Sequence, residues 1–320
     1  MTRSILVARL DNNGDVLLAG PAVRAVAAGA SEVTLLCGRR GVAAARLLPG
    51  VDRILEFTAP WIDPDPEPVD RLETDRLVAR IAEIEPDIAL ILTSFHQSPL
   101  PLALLLRMAG VPRIAAISED YPGALLDIRH HVGDDVHEVE RGLSLARRAG
   151  FELPGGDDGS LRIRSHAPEV RAPFDDYVVV HPGASVTARA WPAERNRKLV
   201  RTLAQSGQPV VVTAGPGEER LAARVAGPPH PLVANLAGQV SLGGLAALLQ
   251  RARALVAGNT GPAHLAAAVG TPVVSLFAPT VPAHRWRPWG VPHVLLGDQE
   301  VACGGCRART CPVAGHPCLT

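Results

Sequence analysis

The sequence predicts an α/β protein of two doubly wound domains, each a parallel sheet covered by helices on both faces. Three observations predict it. Short runs rich in Val, Ile and Leu alternate with helix-like segments along the chain. The runs are apolar almost throughout, as in strands buried on both faces. The alternation lapses over residues 154–176, where Gly, Pro and Asp crowd together, and then restarts. A length of 320 residues accommodates two such domains. The expected division is 1–165 and 166–320.

In the first half, Ser4–Ala8 reads as a strand running into the polar loop Arg9-Leu10-Asp11-Asn12-Asn13-Gly14-Asp15. Val16–Ala28 is helical, with Pro21 either inside it or marking the start of the true helix. Strands follow at Val33–Cys37, Arg53–Phe57, Ile88–Leu92 and Arg113–Ile117. Helices are expected over Gly41–Leu48, Arg71–Glu85, Pro99–Ala109 and Asp135–Ala149, the last stopped by Gly150. Trp61–Val69, with three prolines, is a surface loop, and Tyr121–Gly133 is irregular.

In the second half, strands are expected at Tyr177–Val180, Pro209–Thr213, Ala254–Ala257 and Val273–Phe277. Helices are expected over Ala193–Gln205, from the Gly215–Glu219 turn, and over Leu242–Arg253. In the stretch Ala254–Ala278, the turn Gly258-Asn259-Thr260-Gly261-Pro262 opens a helix through His264 that Gly270 ends. Asn259 or Thr260 caps this helix. A glycine-rich turn there either collects free N–H groups for a phosphate or is an ordinary capped connection.

Formal net charge is zero, which suggests neither a nucleic-acid partner nor more than peripheral membrane association. No charged-then-apolar leader and no long uncharged apolar stretch is evident, so a cytoplasmic protein is expected. Lys198 is the sole lysine among 32 basic residues, so cationic phosphate contacts fall to arginine. Cys303, Cys306, Cys311 and Cys318 cluster near the end, as thiols with a structural role or, in the minority reading, as zinc ligands.

Three loops follow strands that should open on one cleft. In the first, Asp11 or Asp15 either accepts a proton from a hydroxyl or caps a helix. In the second, His181–Pro192, Arg189 either clamps a diphosphate or is one solvent-exposed arginine among many. The third is the turn at Gly258–Pro262. His130 and His131 are further candidates for an acceptor site.

Four segments, in order, resemble glycosyltransferase family 9, the heptosyltransferase family. Arg9-Leu10-Asp11-Asn12-Asn13-Gly14-Asp15-Val16-Leu17 is similar to its R-x-D-x-x-G-D-V-L opening. His181-Pro182-Gly183-Ala184-Ser185 followed by Arg189-Ala190-Trp191-Pro192 resembles its H-P-G-A-S…K-x-W-P segment. Gly215–Glu219 resembles its Glu-bearing turn, and Gly258–His264 its D-[TS]-G-x-x-H signature. The resemblance implies a GT-B fold, two Rossmann-like domains facing across a cleft, the first for the acceptor and the second for a nucleotide-sugar donor. It implies inverting transfer to a glycan or small-molecule acceptor without metal or other cofactor.

By the same resemblance Asp15 is the general base, with Asp11 and Asn13 beside it on the acceptor side. Ser185, Arg189, Glu218 or Glu219, Asn259, Thr260, Gly261 and His264 face the donor. Arg189 stands in place of the family's lysine and Asn259 in place of its aspartate, so the sugar is left open. Asp134–Glu140 resembles the family's H-x-x-E helix, to which a structural role is given. The rivals are a nucleotide-sugar epimerase of the same fold and a non-catalytic nucleotide-sugar binder. The Asp63-Pro64-Asp65 triplet matches a metal-binding D-x-D in letters only, and no G-x-G-x-x-G follows the first strand.

Overall fold

The computed structural model describes residues 3–164 and 171–320. The chain divides into two compact units, Met1–Arg164 and Ser165–Thr320. The expected boundary at 165/166 lies outside the described residues.

Unit 1 runs β1 (Ser4–Arg9), α1 (Asn13–Leu18), α2 (Gly20–Ala28), β2 (Glu32–Cys37), α3 (Val42–Ala45), β3 (Arg53–Glu56), α4 (Arg71–Ile84), β4 (Ile88–Ile91), α5 (Leu100–Met108), β5 (Ile114–Ile117), β6 (Ile128–His130) and α6 (Glu138–Arg148). The sheet order is β3-β2-β1-β4-β5-β6 and every pairing is parallel, with Ser4 opposite Glu32 and Ile5 opposite Ile88. Ile5, Leu6, Val7 and Ala8 are all fully buried, which is what helices on both faces require. Leu6, Ala8, Leu36 and Ile91 pack on one face with Leu102 and Leu106 of α5. Each such leucine or isoleucine contributes about 1.5–3 kcal/mol by leaving water.

Pro21 is the second residue of α2 and has no N–H to extend α1, so the expected Val16–Ala28 helix is two helices meeting at Ala19. The irregular stretch Tyr121–Gly133 contains β6, an edge strand of three residues that carries too little sequence to show a period.

Residues 154–164, expected as part of a linker, belong to unit 1. Asp157 makes a paired ion contact with Arg24 of α2, Nε to Oδ2 at 2.7 Å and NH2 to Oδ1 at 2.9 Å. Hydrogen bonding from Arg24 holds the Asp157 carboxyl down at about 2. Its stabilisation is therefore complete above about pH 4 and lost as pH falls towards 2. Asp157→Ala leaves buried Arg24 without its partner and should cost about 3 kcal/mol, read by urea unfolding at pH 7 and shrinking by pH 2.

Unit 2 runs β7 (Val178–His181), α7 (Ala193–Gln205), β8 (Val210–Val212), α8 (Glu219–Ala226), β9 (Val233–Asn235), α9 (Leu242–Arg251), β10 (Ala254–Gly258), α10 (Gly261–Ala268), β11 (Val273–Leu276), α11 (Ala283–Trp286) and β12 (His293–Leu296). Its order, β12-β11-β10-β7-β8-β9, repeats the plan of unit 1. The outer strands β9 and β12 join the expected set; β12 exposes Val294 and Leu296, so it lacks the buried apolar run that marks the others.

In each unit the order reverses beside the first strand, between β1 and β4 and between β7 and β10. Ligands of open α/β sheets bind at this switch, past the strands' C-terminal ends. No helix among the described residues is long and apolar enough to cross a membrane.

Candidate active site

The switch in unit 1 is built on Arg9, the last residue of β1 and only 4% exposed. Its Nε lies 2.8 Å from Asp11 Oδ2 and its NH2 3.1 Å from Asp15 Oδ1. NH2 also donates to Ser94 Oγ at 2.8 Å, and NH1 stands 3.4 Å from Glu138 Oε2. Burial disfavours the Arg9 charge, but Asp11, Asp15 and Glu138 outweigh it and raise its pKa. Gln97 donates to Asp11 Oδ1 and accepts from Ser94 N at 2.9 Å, closing the loop after β4 onto the loop after β1.

Asp15 is the third residue of α1, and neither it nor Asp11 caps that helix. Asp15 keeps 21% of its side-chain surface exposed, against 5% for Arg9 and 1% for Glu138. Asp11 is the buried carboxylate of the pair, and burial pushes it up to about 6. A raised carboxyl stabilises the fold fully below its unfolded pKa of 3.8 and loses that contribution as pH rises through about 6. Relative to Asp11→Asn, the wild-type chain should therefore lose stability between pH 4 and 7, which urea unfolding at those two pH values checks.

The other acceptor-side candidates lie elsewhere. Asn13 accepts through Oδ1 from Ala44 N at 3.0 Å, which ties α1 to α3. His130 ends β6, three strand positions from β1, or about 14 Å across the sheet. It contacts Ser144 Oγ at 3.1 Å, while exposed His131 pairs with Glu119 at 3.5 Å. Asp63 is paired with Arg39 and Arg40, and Asp65 with Arg40.

In unit 2, β7 ends at His181, whose Nδ1 contacts Thr213 Oγ1 at 3.0 Å. Burial lowers its pKa to about 4, so the ring is neutral at pH 7. Gly183 follows, and Glu218 fills the space where a side chain would stand: a Cβ there would fall 1.9 Å from Glu218 Oε2. Glu218 Oε2 accepts from Gly215 N at 2.9 Å. Glu219 turns to Gly217 N at 3.1 Å and packs on Gly238. Of the two glutamates, Glu218 is thus the one beside the β7 loop. Ser185 is exposed on that loop.

The β7 loop touches the β10 turn through backbone. A Cβ on Gly258 would sit 2.9 Å from Arg189 O, so only glycine admits this approach. Arg189 Nε donates to Thr280 Oγ1 at 3.2 Å. Asn259 is 4% exposed, and its Nδ2 has no hydrogen-bond partner among the described residues. Thr260 is the N-cap of α10 but makes no side-chain cap bond; its Oγ1 turns to Gly258 O at 3.4 Å. Gly261 opens the helix, and His264 is buried within it. An uncapped helix start beside a buried amide donor is suited to an anionic, polar ligand.

The tail braces this site. Arg309 O accepts from Ala188 N at 3.0 Å and from Thr187 Oγ1 at 2.9 Å. Leu319 O accepts from Trp191 Nε1 and from Arg195, each at 3.1 Å. Cys303, Cys306, Cys311 and Cys318 are free thiols lining one small cavity with Thr280 and His316. Among the described residues, no three His, Cys, Asp or Glu side chains are placed to hold a metal ion, so the zinc reading finds no support in the geometry.

Sequence reasoning named Asp11, Asp15, Arg189 and Asn259 but missed Ser94, Gln97, Glu138 and Thr280. The signal for Ser94 and Gln97 was topological: a polar loop after β4, the strand across the switch from β1. Glu138 lies in the Asp134–Glu140 stretch, to which the sequence assigns only a structural role, and nothing local marked Thr280; their partners lie 129 and 91 residues away.

Two doubly wound units, each with buried polar groups at its switch point, define a two-domain α/β protein of the GT-B class. Residues 76–316 match the profile of "Glycosyltransferase family 9 (heptosyltransferase)", and the chain belongs to that family.

It is 37% identical over 163 residues to lipopolysaccharide heptosyltransferase 3 of Escherichia coli K12, covering 48% of this chain and 47% of that one. It is 32% identical over 248 residues to lipopolysaccharide heptosyltransferase 1 of Pseudomonas aeruginosa PAO1, covering 75% and 67%. The match to the first spans about half of that relative's length. Among solved structures, E. coli ADP-heptose lps heptosyltransferase II superposes with a TM-score of 0.73 at 18% identity, over 93% of this chain and 91% of that one.

Proposed function

We propose that this chain transfers a heptose or related sugar from an ADP-linked or other nucleotide-linked donor to a hydroxyl of a lipopolysaccharide-core acceptor. The transfer inverts the anomeric centre and needs no metal. One observation carries the reading: Asp15 is the most accessible carboxylate of an otherwise buried hub at the unit 1 switch point, in a chain of the heptosyltransferase family. The relatives' names supply the sugar and the acceptor class.

In this mechanism Asp15 takes the proton of the acceptor hydroxyl as its oxygen attacks the anomeric carbon. The bond from that carbon to the diphosphate oxygen breaks, and the nucleotide diphosphate leaves. Arg189 and the N–H groups at the start of α10 stabilise the charge that grows on it. The Asn259 amide donates to the sugar where an aspartate only accepts, so the donor sugar carries an acceptor oxygen there. Glu218 contributes to the same loop cluster. The enzyme works in the cytoplasm, with the acceptor lipid holding it at the membrane surface.

The test is ADP release from ADP-heptose, with and without a heptose-deficient lipopolysaccharide core, in excess chelator. The expected result is acceptor-dependent release with an inverted linkage by NMR. Isomerised or free sugar without acceptor points to an epimerase, and binding without turnover points to a silent binder.

A further inference from the structure

The loop after β4 makes a tight turn, Ser94-Phe95-His96-Gln97, closed by Gln97 N donating to Ser94 O at 3.0 Å. Both stems of the turn belong to the unit 1 hub. Ser94 Oγ accepts from Arg9 NH2, the nitrogen that also bonds Asp15 Oδ1. Two hydrogen bonds through one nitrogen put Ser94 Oγ within about 6 Å of Asp15 Oδ1. Gln97 donates to Asp11 and accepts from Ser94 N. The hub therefore fixes this turn beside Asp15. The tip of the turn breaks the usual chemistry. Central turn positions favour Gly, Pro, Asn, Asp and Ser, which suit the backbone there. Here both hold rings. Phe95 and His96 meet edge to face, with centroids 5.2 Å apart and 74° between the planes. His96 is exposed and Phe95 half-buried. Phenylalanine is scarce in this chain, five in 320 residues, and Phe57, Phe151 and Phe277 all lie in the core. A phenylalanine at a turn tip gives up both burial and turn propensity, and such a local conflict is typical of a functional site.

We infer that Phe95 and His96 form the platform against which the acceptor's sugar ring packs, and so determine which acceptor is used. This rests on the reading of Asp15 as the base that takes the acceptor proton. A hydroxyl can react there only if its ring is held within reach and in one orientation. A pyranose offers an apolar face of C–H groups. An aromatic ring carries negative charge on its face and a large apolar area, and so accepts that face. Ser94 and Gln97 tie the platform to the same guanidinium and carboxylates that hold Asp15, so ring and base keep a fixed spacing. The acceptor class that fits is a cyclic sugar, in preference to an acyclic alcohol of equal polarity.

The test uses the full chain and two pairs of variants: Phe95→Leu and His96→Ala, which remove a ring, and Phe95→Tyr and His96→Phe, which keep one. Phe95→Leu retains an apolar side chain and His96 is exposed, so thermal unfolding should report folded protein in both ring-less variants. The probe is a de-acylated, heptose-deficient lipopolysaccharide core, which carries the sugars without the lipid. Its Kd by calorimetry, and its KM with ADP-heptose as donor, should rise about tenfold in Phe95→Leu and in His96→Ala. Donor KM and ADP binding should stay at the parental values, and the ring-keeping variants should return to the parental acceptor KM. A merely structural role would move donor and acceptor constants together and would not distinguish a ring from a leucine. Folded ring-less variants that bind and use the core as the parent does overturn the inference and leave the reading of Asp15 standing. Turnover by Asp15→Asn at the parental rate overturns that reading, while the binding constants still decide whether the rings hold the sugar. A parent chain that neither binds nor glycosylates the core overturns both.

Discussion

Asp15→Asn should lower kcat for sugar transfer by two to four orders of magnitude while donor binding stays within a few-fold of wild type. The size follows from the contribution of a positioned general base, about 10²–10⁴-fold. The asparagine is isosteric and can still accept from Arg9 NH2, so the hub should stay assembled. What disappears is the capacity to take a proton. A donor titration followed by thermal shift separates the two effects, since a ligand bound only by the native state raises its apparent stability. A variant that transfers sugar at the parental rate removes Asp15 from the chemistry and leaves buried Asp11, with its raised pKa, as the next carboxylate to examine. That outcome would also reverse the roles of the two aspartates, because burial now separates them: 9% side-chain exposure for Asp11 against 21% for Asp15.

Arg189→Met should weaken donor binding by about 10- to 100-fold, the worth of one or two charge-assisted hydrogen bonds to a diphosphate. The effect should fall on KM for ADP-heptose and on ADP binding alike. Arg189→Lys should recover part of it, because the charge survives although the planar fork does not. Loss of the Nε bond to Thr280 is a second consequence of either change. Thr280→Val isolates that bond: it removes the Thr280 partner and leaves the guanidinium. A small effect in Thr280→Val beside a large one in Arg189→Met assigns the loss to the ligand contact. If Arg189→Met binds ADP as tightly as the parent, the diphosphate is held elsewhere, with the start of α10 as the remaining feature of that loop cluster.

Much of this protein is legible in its residues taken in order. The central strands β1, β2, β4, β5, β7, β8, β10 and β11 are apolar runs, and such runs state their own burial. Of the four edge strands, β6 and β9 are short and mixed and β12 exposes its Val294 and Leu296, because an edge strand is half solvated; only β3, with Ile54 and Leu55, is expected from the sequence. The Pro21 break was visible as an ambiguity and decided by the missing N–H. The loops carrying Asp15, Arg189 and Asn259 could be found because each follows a strand whose end the pattern locates.

The sequence by itself determined two repeated α/β plans, the turn at Gly258–Pro262, and a short set of polar residues at strand ends. Those are local properties, set by period, propensity and turn chemistry over a few residues. Only the tertiary structure decided which charges meet. It put Glu138 against Arg9 across 129 residues, chose Glu218 over Glu219 for the space beside Gly183, and laid the tail on the Arg189 turn. It also moved residues 154–164 from the expected linker into unit 1 through Arg24 and Asp157. Such pairings depend on sheet order and on the few ångströms between packed loops. A parallel sheet brings to one edge residues whose separation along the chain carries no record of it.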